Sequence, residues 1–265
     1  MTQSVVITGA SGFIGKNIAS YLSKKYKILP YSRKKKLKDF IYIKNYKNIA
    51  SGDKKILIYL SQSSFGSIKN LKEELNTVRF ISKKKWNYII YFSSYNVYLE
   101  KKLNIKEESN LDLNNYYNKL KIISENIFLK NDNSVCLRLS NILGKHYNSN
   151  TLLSDIVSQI QKKNKIIYLN NKNIVRDFLF VNDLKRVILL CLKKKPKGIF
   201  NVGSGSGISA EYLATKIFKI MKIKGRIISK KKTFSRKVLD ITKIQNTLNW
   251  KPKNLINKEL KNILI

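Results

Sequence analysis

Tyr117 and Lys121 stand four residues apart in a stretch, Asn115 to Leu129, whose apolar spacing predicts a helix. Residues i and i+4 share one helix face, so the Lys121 ammonium would lie beside the Tyr117 phenol. A free phenol has a pKa of about 10 and is a poor base at neutral pH. A neighbouring positive charge favours the phenolate, and a phenol so placed can exchange a proton with a substrate hydroxyl or carbonyl. The Tyr-x-x-x-Lys spacing alone is cheap here, because it recurs at Tyr21/Lys25, Tyr31/Lys35, Tyr98/Lys102, Tyr168/Lys172 and Tyr212/Lys216. Position singles out Tyr117 and Lys121: they follow Ser93-Ser94, the end of an apolar run, after a short excursion. Tyr116 has Leu120 four residues on, so it is left a packing or rim role.

The proton such a pair moves needs a companion hydride, and the N-terminus offers a place for a hydride carrier. Ser4 to Thr8 reads as a short buried strand, running directly into Gly9-Ala-Ser-Gly12-Phe-Ile-Gly15 and then a helical pattern through Ile18, Ala19 and Leu22. Strand, glycine turn and helix in this order form a corner that cradles the pyrophosphate of a dinucleotide. Gly9 allows the sharp turn, Gly12 lets the pyrophosphate approach the backbone, and Gly15 lets the helix sit close to the strand. The helix N-terminus then presents unpaired N–H groups and a partial positive charge. The spacing is G-x-x-G-x-x-G, and its place after an N-terminal strand is what gives it weight against an ordinary glycine-rich turn.

The elements that would position both groups alternate along the chain. Strands are expected at Ser4–Thr8, Tyr26–Tyr31, Phe40–Ile43, Ile56–Ser61, Tyr88–Ser93 and Val135–Leu139, with helices at about Ile14–Lys24, Ile68–Lys83 and Asn115–Leu129 between them. Alternation implies an α/β fold, a doubly wound parallel (Rossmann) sheet with right-handed crossovers and a small C-terminal substrate-binding lobe. The dinucleotide-binding domain is assigned to 1–144 plus about 177–202, and the lobe to 145–176 and 203–265. With 265 residues the chain can bury a substantial core. No run of 18 apolar residues predicts a membrane span, and Met1 to Ser4 enters the first strand without a leader, so a cytoplasmic enzyme is expected. Cys136 and Cys191 fall in apolar settings and read as buried free thiols.

The formal charge of +37 suggests nucleic-acid binding. The lysines, however, run from end to end: Lys34–Lys36, Lys83–Lys85, Lys193–Lys195 and Lys230–Lys232 sit at predicted loops or helix ends. Lys, Asn and Ile share adenine- and thymine-rich codons, so genome composition accounts for the bias, and no specific nucleic-acid partner is expected. The second strand ends Pro30-Tyr31-Ser32-Arg33-Lys34, with no acid at the tip to hold ribose hydroxyls and repel a 2′-phosphate. Arg33 and Lys34 could pair with that phosphate and Ser32 could donate to it, so NADP is favoured over NAD, with NAD left open.

The chain resembles the extended short-chain dehydrogenase/reductase family, the NAD-dependent epimerase/dehydratase family. The resemblance runs through Thr8–Gly15, Phe92–Tyr98, Tyr117–Lys121, Leu137–Asn141, Arg176–Val181, Phe200–Gly203, Asp240–Lys243 and Leu248–Pro252, in the family's order. It implies that Ser94, Tyr117 and Lys121 are catalytic, with Ser94 bonding the reacting oxygen and Ser93 supporting it. It implies cofactor contacts from Gly9, Ser11, Gly12, Phe13, Ile14, Gly15, Ser32, Arg33, Lys34, Leu60, Ser61, Ser93, Tyr117 and Lys121. Substrate contacts are implied for Ser94, Asn141, Arg176 and Arg236, with Lys237 a further anion-binding candidate. Asn141 reads equally as a turn residue, Arg176 otherwise as a surface salt bridge with Asp177, and Asp183 as a helix N-cap. The family's 4,6-dehydratases carry an Asp-Glu pair where this chain has Tyr95 and Asn96, which sets a dehydratase aside. The lone histidine, His146, reads as an exposed loop residue and leaves no metal site. The leading expectation is an NADP-dependent reductase of a 4-keto nucleotide sugar. An epimerase with tightly held NAD is the alternative enzyme, and a catalytically silent nucleic-acid-binding domain the alternative of another class. A homodimer stays open as a partner.

Overall fold

The computed structural model describes residues 3–35, 37–62, 68–100, 104–145, 151–162, 166–231, 233–253 and 255–264. His146 lies outside these, as does most of the loop to Asn150. The first half alternates as expected: β1 (Ser4–Thr8), α1 (Phe13–Leu22), β2 (Lys27–Ser32), β3 (Ile41–Tyr42), β4 (Gly52–Tyr59), α2 (Ile68–Ser82), β5 (Trp86–Ser94), α3 (Tyr116–Phe128) and β6 (Ser134–Leu139). Then come β7 (Asn141–Leu143), α4 (Leu152–Gln161), β8 (Ile166–Asn171), β9 (Ile174–Phe180), α5 (Val181–Lys194) and β10 (Gly198–Val202). The chain ends with β11 (Gly207–Ser209), α6 (Ala210–Ile220), β12 (Arg226–Lys231), β13 (Ser235–Lys237), α7 (Thr242–Leu248) and α8 (Ile256–Leu264). No helix among the described residues is long and apolar enough to cross a membrane.

Seven parallel strands form the main sheet in the order β10-β6-β5-β4-β1-β2-β3. The chain winds outward from β1 through β2 and β3, then returns to β4 on the other side, so the C-terminal ends of β1 and β4 flank the switch point where such sheets bind ligands. The central strands carry apolar stretches, such as Val5–Ile7, Ile56–Tyr59 and Tyr88–Phe92, because both faces are covered there. Successive side chains go to opposite faces. On one face lie Val5, Ile7, Ile56, Ile58, Tyr88, Ile90, Phe92, Val135 and Leu137; on the other lie Val6, Leu57, Tyr59, Ile89, Tyr91 and Cys136. Both cysteines are buried and free, and burial pushes both thiols up, Cys191 to about 12.

A second apolar cluster, built on Leu153, Ile156, Ile167, Leu169, Phe178, Phe180, Leu213, Ile217 and Leu260, forms the lobe. Its sheets are β11-β9-β13 with β7 also on β9, and the parallel pair β8·β12. Two expectations change here. Leu239, Ile241, Ile244, Leu248 and Trp250 were assigned to the lobe but pack in the main core, since α7 rests on α5 and β10. Asp183 is not an N-cap: α5 begins at Val181 after Phe180, and the buried Asp183 carboxylate instead accepts from Arg186 Nη1 (2.6 Å) and from the Lys253 backbone N–H (3.0 Å).

Candidate functional site

The corner after β1 has the shape the glycines predict. Gly9 sits at φ 65°, the left-handed region that favours glycine. A Cβ on Gly15 would land on the Gly9 carbonyl oxygen and 2.7 Å from Ala10 Cα, so only glycine lets α1 close on the turn. Gly12, the N-cap of α1, is exposed, and a Cβ there would meet only the Gly9 carbonyl oxygen, 3.3 Å away. That leaves open backbone at a helix N-terminus, which fits a pyrophosphate. Phe13 and Ile14 are half-buried: the Phe13 ring lies where a side chain at Gly144 would intrude, and Ile14 packs on the main core. What they can offer a phosphate is backbone N–H. Thr8 Oγ1 accepts from the N–H groups of Leu60 (3.0 Å) and Ser61 (3.3 Å), which fastens the end of β4 to the end of β1.

At the tip of β2, the Ser11 and Ser32 hydroxyls bond each other at 2.8 Å, and Ser32 Oγ accepts from the Lys34 N–H at 3.0 Å. Arg33 and Lys34 are exposed. The Arg33 guanidinium lies 5.5 Å from the ring centroid of Tyr46, whose hydroxyl accepts from the Gly9 N–H at 3.0 Å. A cleft of about 530 Å³ opens here, lined by Arg33, Lys44, Tyr46 and Lys47 on one side and by Glu73 and Glu74 of α2 on the other. Tyr46 escaped the sequence reading, because a tyrosine in a polar loop after β3 carries no local signal of where it docks.

The second half of the site forms where β5 meets α3. β5 ends at Ser94, whose Oγ caps the single 3₁₀ turn Tyr95–Val97 by accepting from the Asn96 N–H at 3.2 Å. The Ser93 hydroxyl is buried with no hydrogen-bond partner among the described residues. Asn115 caps α3 through Asn118 N–H (2.9 Å), which sets the phase that puts Tyr117, Lys121 and Glu125 on one face. Lys121 Nζ donates to the Phe92 carbonyl at 2.7 Å and lies 5.5 Å from the Tyr117 ring centroid. Its burial pulls the ammonium down to about 8, against the opposing charges of Glu125 and Glu74. Burial also raises Tyr117, and a hydrogen bond with Ser94 works against that rise. Burial thus favours the neutral phenol, while a neighbouring ammonium favours the phenolate. The half-buried Tyr116 points its hydroxyl at no partner among the described residues.

A cleft of about 460 Å³ opens beside Tyr117, lined by Asn96, Asp112, Asn115, Asn118 and Lys237. At the positions of the dehydratase acids stand a buried Tyr95, pushed up to about 12 by burial, and an exposed Asn96. Asn141 opens β7 as a strand residue, not a turn, and its amide donates to Tyr95 OH (2.5 Å) and the Asp177 carbonyl (3.1 Å). Arg176 does not pair with Asp177. It pairs with Glu100 at 2.9 Å and with Ser235 Oγ at 2.8 Å. Asp177 is fully buried and holds the lobe to the main domain by accepting from Ser204 N–H (2.7 Å), Ser204 Oγ (2.8 Å), Gly205 N–H (3.2 Å) and Leu239 N–H (3.3 Å). Along β13, Arg236 bonds Asn104 at 2.5 Å, while Lys237 lines the Tyr117 cleft and donates to the Tyr98 carbonyl at 2.7 Å. Glu100 was not legible as a site residue, since its partners Arg176 and Ser235 return from afar.

Solved structures share this architecture across nearly the whole chain. "RMD" of Pseudomonas aeruginosa, in complex with NADPH, superimposes with a TM-score of 0.84 at 20% identity, covering 99% of this chain and 98% of its own. A UDP-N-acetylglucosamine 4-epimerase of Methanobrevibacter ruminantium M1, in complex with UDP-N-acetylmuramic acid, gives 0.83 at 20% identity, covering 99% and 97%. A dTDP-glucose 4,6-dehydratase of Bacillus anthracis, in complex with NAD, gives 0.81 at 18% identity, covering 99% and 95%. At these identities the likeness shows the fold. The family model for the NAD dependent epimerase/dehydratase family matches residues 61–203, from the end of β4 through α3 and the Tyr117–Lys121 pair to the close of β10. The chain belongs to the NAD dependent epimerase/dehydratase family.

Proposed function

We propose that the protein is an NADP(H)-dependent reductase of a 4-keto nucleotide sugar. The observation that carries the reading is Tyr117 at the wall of an open cleft, with the buried Lys121 ammonium 5.5 Å from its ring centroid. Reduction of a ketone needs a proton donor at the carbonyl oxygen, and a protonated phenol is that donor. A nicotinamide dinucleotide in the glycine corner would supply the hydride. Tyr117 gives its proton to the oxygen as negative charge develops there. Ser94 orients that oxygen, and Lys121, fixed by the Phe92 carbonyl, favours the phenolate that Tyr117 becomes. Tyr95 and Asn96 leave no carboxylic acid at their positions to expel hydroxide, which speaks against dehydration.

The cofactor form follows from the β2 tip. Arg33 and Lys34 are exposed beside a hydroxyl-lined corner, and Lys44 and Lys47 join Arg33 in one cleft. A 2′-phosphate would meet Arg33, Lys44 and Lys47 from one wall of that cleft, although Glu73 and Glu74 on the other temper their charge. The relatives bound to NADPH and to NAD make either form plausible in the family, and the acid-free tip favours the phosphorylated one. Lys237, which lines the Tyr117 cleft, is assigned to the anionic part of the substrate. The test is purification followed by a reading of nicotinamide absorbance and titration with NADPH and NADH. A cofactor-free protein that binds NADPH more tightly supports the reductase. Stoichiometric retained NAD with no NADPH preference refutes it in favour of an epimerase.

A further inference from the structure

Arg176 has no terminal hydrogen left for a substrate. Its Nη1 donates to the carbonyls of Val175 (3.0 Å) and Ser235 (3.2 Å), and its Nη2 to Glu100 Oε1 (2.9 Å) and Ser235 Oγ (2.8 Å). Two terminal nitrogens carry four hydrogens, and four acceptors take them. Three of those acceptors belong to the lobe's own strands, β9 and β13. The fourth comes from Glu100, just past the Ser94 turn and 76 residues away in the chain. Glu100 also accepts from the Ser235 hydroxyl, 2.7 Å from each carboxylate oxygen. Its side chain is 45% exposed, so the carboxylate can swing into water at little cost, whereas the backbone carbonyls cannot leave.

The pair sits on the substrate side of the site. Arg176 on β9 is the register partner of Lys237 on β13, and Lys237 lines the same cleft as Tyr117. A carboxylate oxygen and a phosphate oxygen accept from guanidinium in the same geometry. We infer that Glu100 sets the affinity of the site for nucleoside diphosphates: in the free protein its carboxylate holds the place on Arg176 that a substrate phosphate takes, and binding displaces it. The inference rests on the nucleotide-sugar reading above and adds to it a residue that competes with the substrate. Entry of a diphosphate breaks the Arg176–Glu100 pair and brings like charges together, so the substrate must expel Glu100 to gain Arg176. The consequence is a site that tolerates its own cation when empty and rejects weakly charged ligands that cannot displace the carboxylate.

The experiment is calorimetric titration of the full chain with UDP, GDP and dTDP at physiological salt, for the parent, Glu100→Gln, Arg176→Gln and the double variant. The expected result is binding of at least one of these by the parent and about two- to fivefold tighter binding by Glu100→Gln, the range an exposed pair supports. In the Arg176→Gln background the same Glu100 change should leave affinity unaltered. Equal or weaker binding by Glu100→Gln overturns the inference, because Glu100 would then be orienting Arg176 or doing nothing. Equal tightening with and without Arg176 also overturns it, since a general charge effect would suffice. Failure of all three nucleotides to bind parent and Glu100→Gln alike would sink the nucleotide-sugar reading itself. Arg176→Lys serves as the second background if Arg176→Gln does not fold, as judged by its melting transition.

Discussion

Replacing Glu125 by Gln should both loosen the fold and shift the pH profile of the reaction. Glu125 lies two turns beyond Tyr117 on α3 and one turn beyond Lys121. Its carboxylate takes Arg138 of β6 in a two-pronged pair, Nε–Oε1 at 2.9 Å and Nη2–Oε2 at 2.6 Å, with the two side chains 1% and 3% exposed. Arg138 Nη1 continues to Tyr98 OH (2.8 Å) and the Glu107 carbonyl (2.9 Å), and Tyr98 OH donates on to Asn201 Oδ1 (2.7 Å). Removing one partner of a buried pair leaves a stranded charge and costs about 3–5 kcal/mol. The Gln amide oxygen still accepts one bond, which places the loss toward the lower end. At roughly 2 °C per kcal/mol for a chain of this size, the melting temperature should fall by about 6–10 °C. Glu125 is also the leading charge that holds the Lys121 pKa up against burial. Without it Lys121 should drop below about 8, and the alkaline limb of kcat/KM, which reports the free enzyme, should move toward neutrality. Scanning calorimetry and kcat/KM between mildly acidic and alkaline pH read the two effects. Pairing Glu125→Gln with Arg138→Met should recover much of the stability, because the stranded charge is gone. A loss below about 1 kcal/mol, typical of a surface pair, would refute the anchoring argument, and an unmoved limb would refute the electrostatic one.

Lys121 itself titrates near 8 when folded against an ordinary 10.5. Between those values the unfolded chain holds the extra proton, so this lysine's contribution to unfolding free energy rises with pH. The stability difference between the parent and Lys121→Met, followed by denaturant titration from neutral pH to about 9, should therefore shift in the parent's favour; a flat difference contradicts the burial. Arg33→Ala should narrow the gap between NADPH and NADH affinity, while Tyr46→Phe should weaken both alike, because its hydroxyl serves the Gly9 turn common to both; fluorescence titration checks each. Duplex DNA should bind weakly, without sequence preference and with a steep salt dependence of about one counterion per neutralised phosphate; tight, sequence-selective binding at physiological salt would overturn the compositional account of the +37 charge.

The core of the fold is written locally, and that is why it could be read. The second half of β4 and most of β5 and β6 are apolar and buried on both faces, and α3 carries its cap, its phase and its Tyr117–Lys121 pair within one segment. The glycine corner is equally local, since turn and helix start are neighbours in sequence. What stayed hidden depends on return from a distance. Asp177 looked like a partner for adjacent Arg176, yet strand alternation sends the two to opposite sides, one to Glu100 and the other to Ser204 and Leu239. Asp183 stood before an apolar run like a cap, but its partner is the Lys253 N–H, 70 residues on. The segment from Leu239 to Trp250 followed the lobe in sequence and was grouped with it, while its apolar side chains found the main core. Arg236 and Lys237 read alike as adjacent cations, and only their alternation on β13 decides which one lines the cleft.

The central claim is that Tyr117 donates the proton in an NADPH-driven ketone reduction. Its most direct test follows NADPH consumption with a panel of 4-keto sugar nucleotides for the parent and for Tyr117→Phe. The account predicts one NADPH oxidised per keto sugar reduced, and in Tyr117→Phe a fall in turnover of about 10²–10⁴-fold with NADPH affinity kept. Undiminished turnover in Tyr117→Phe, or interconversion of sugar epimers with no net NADPH consumed, would contradict it.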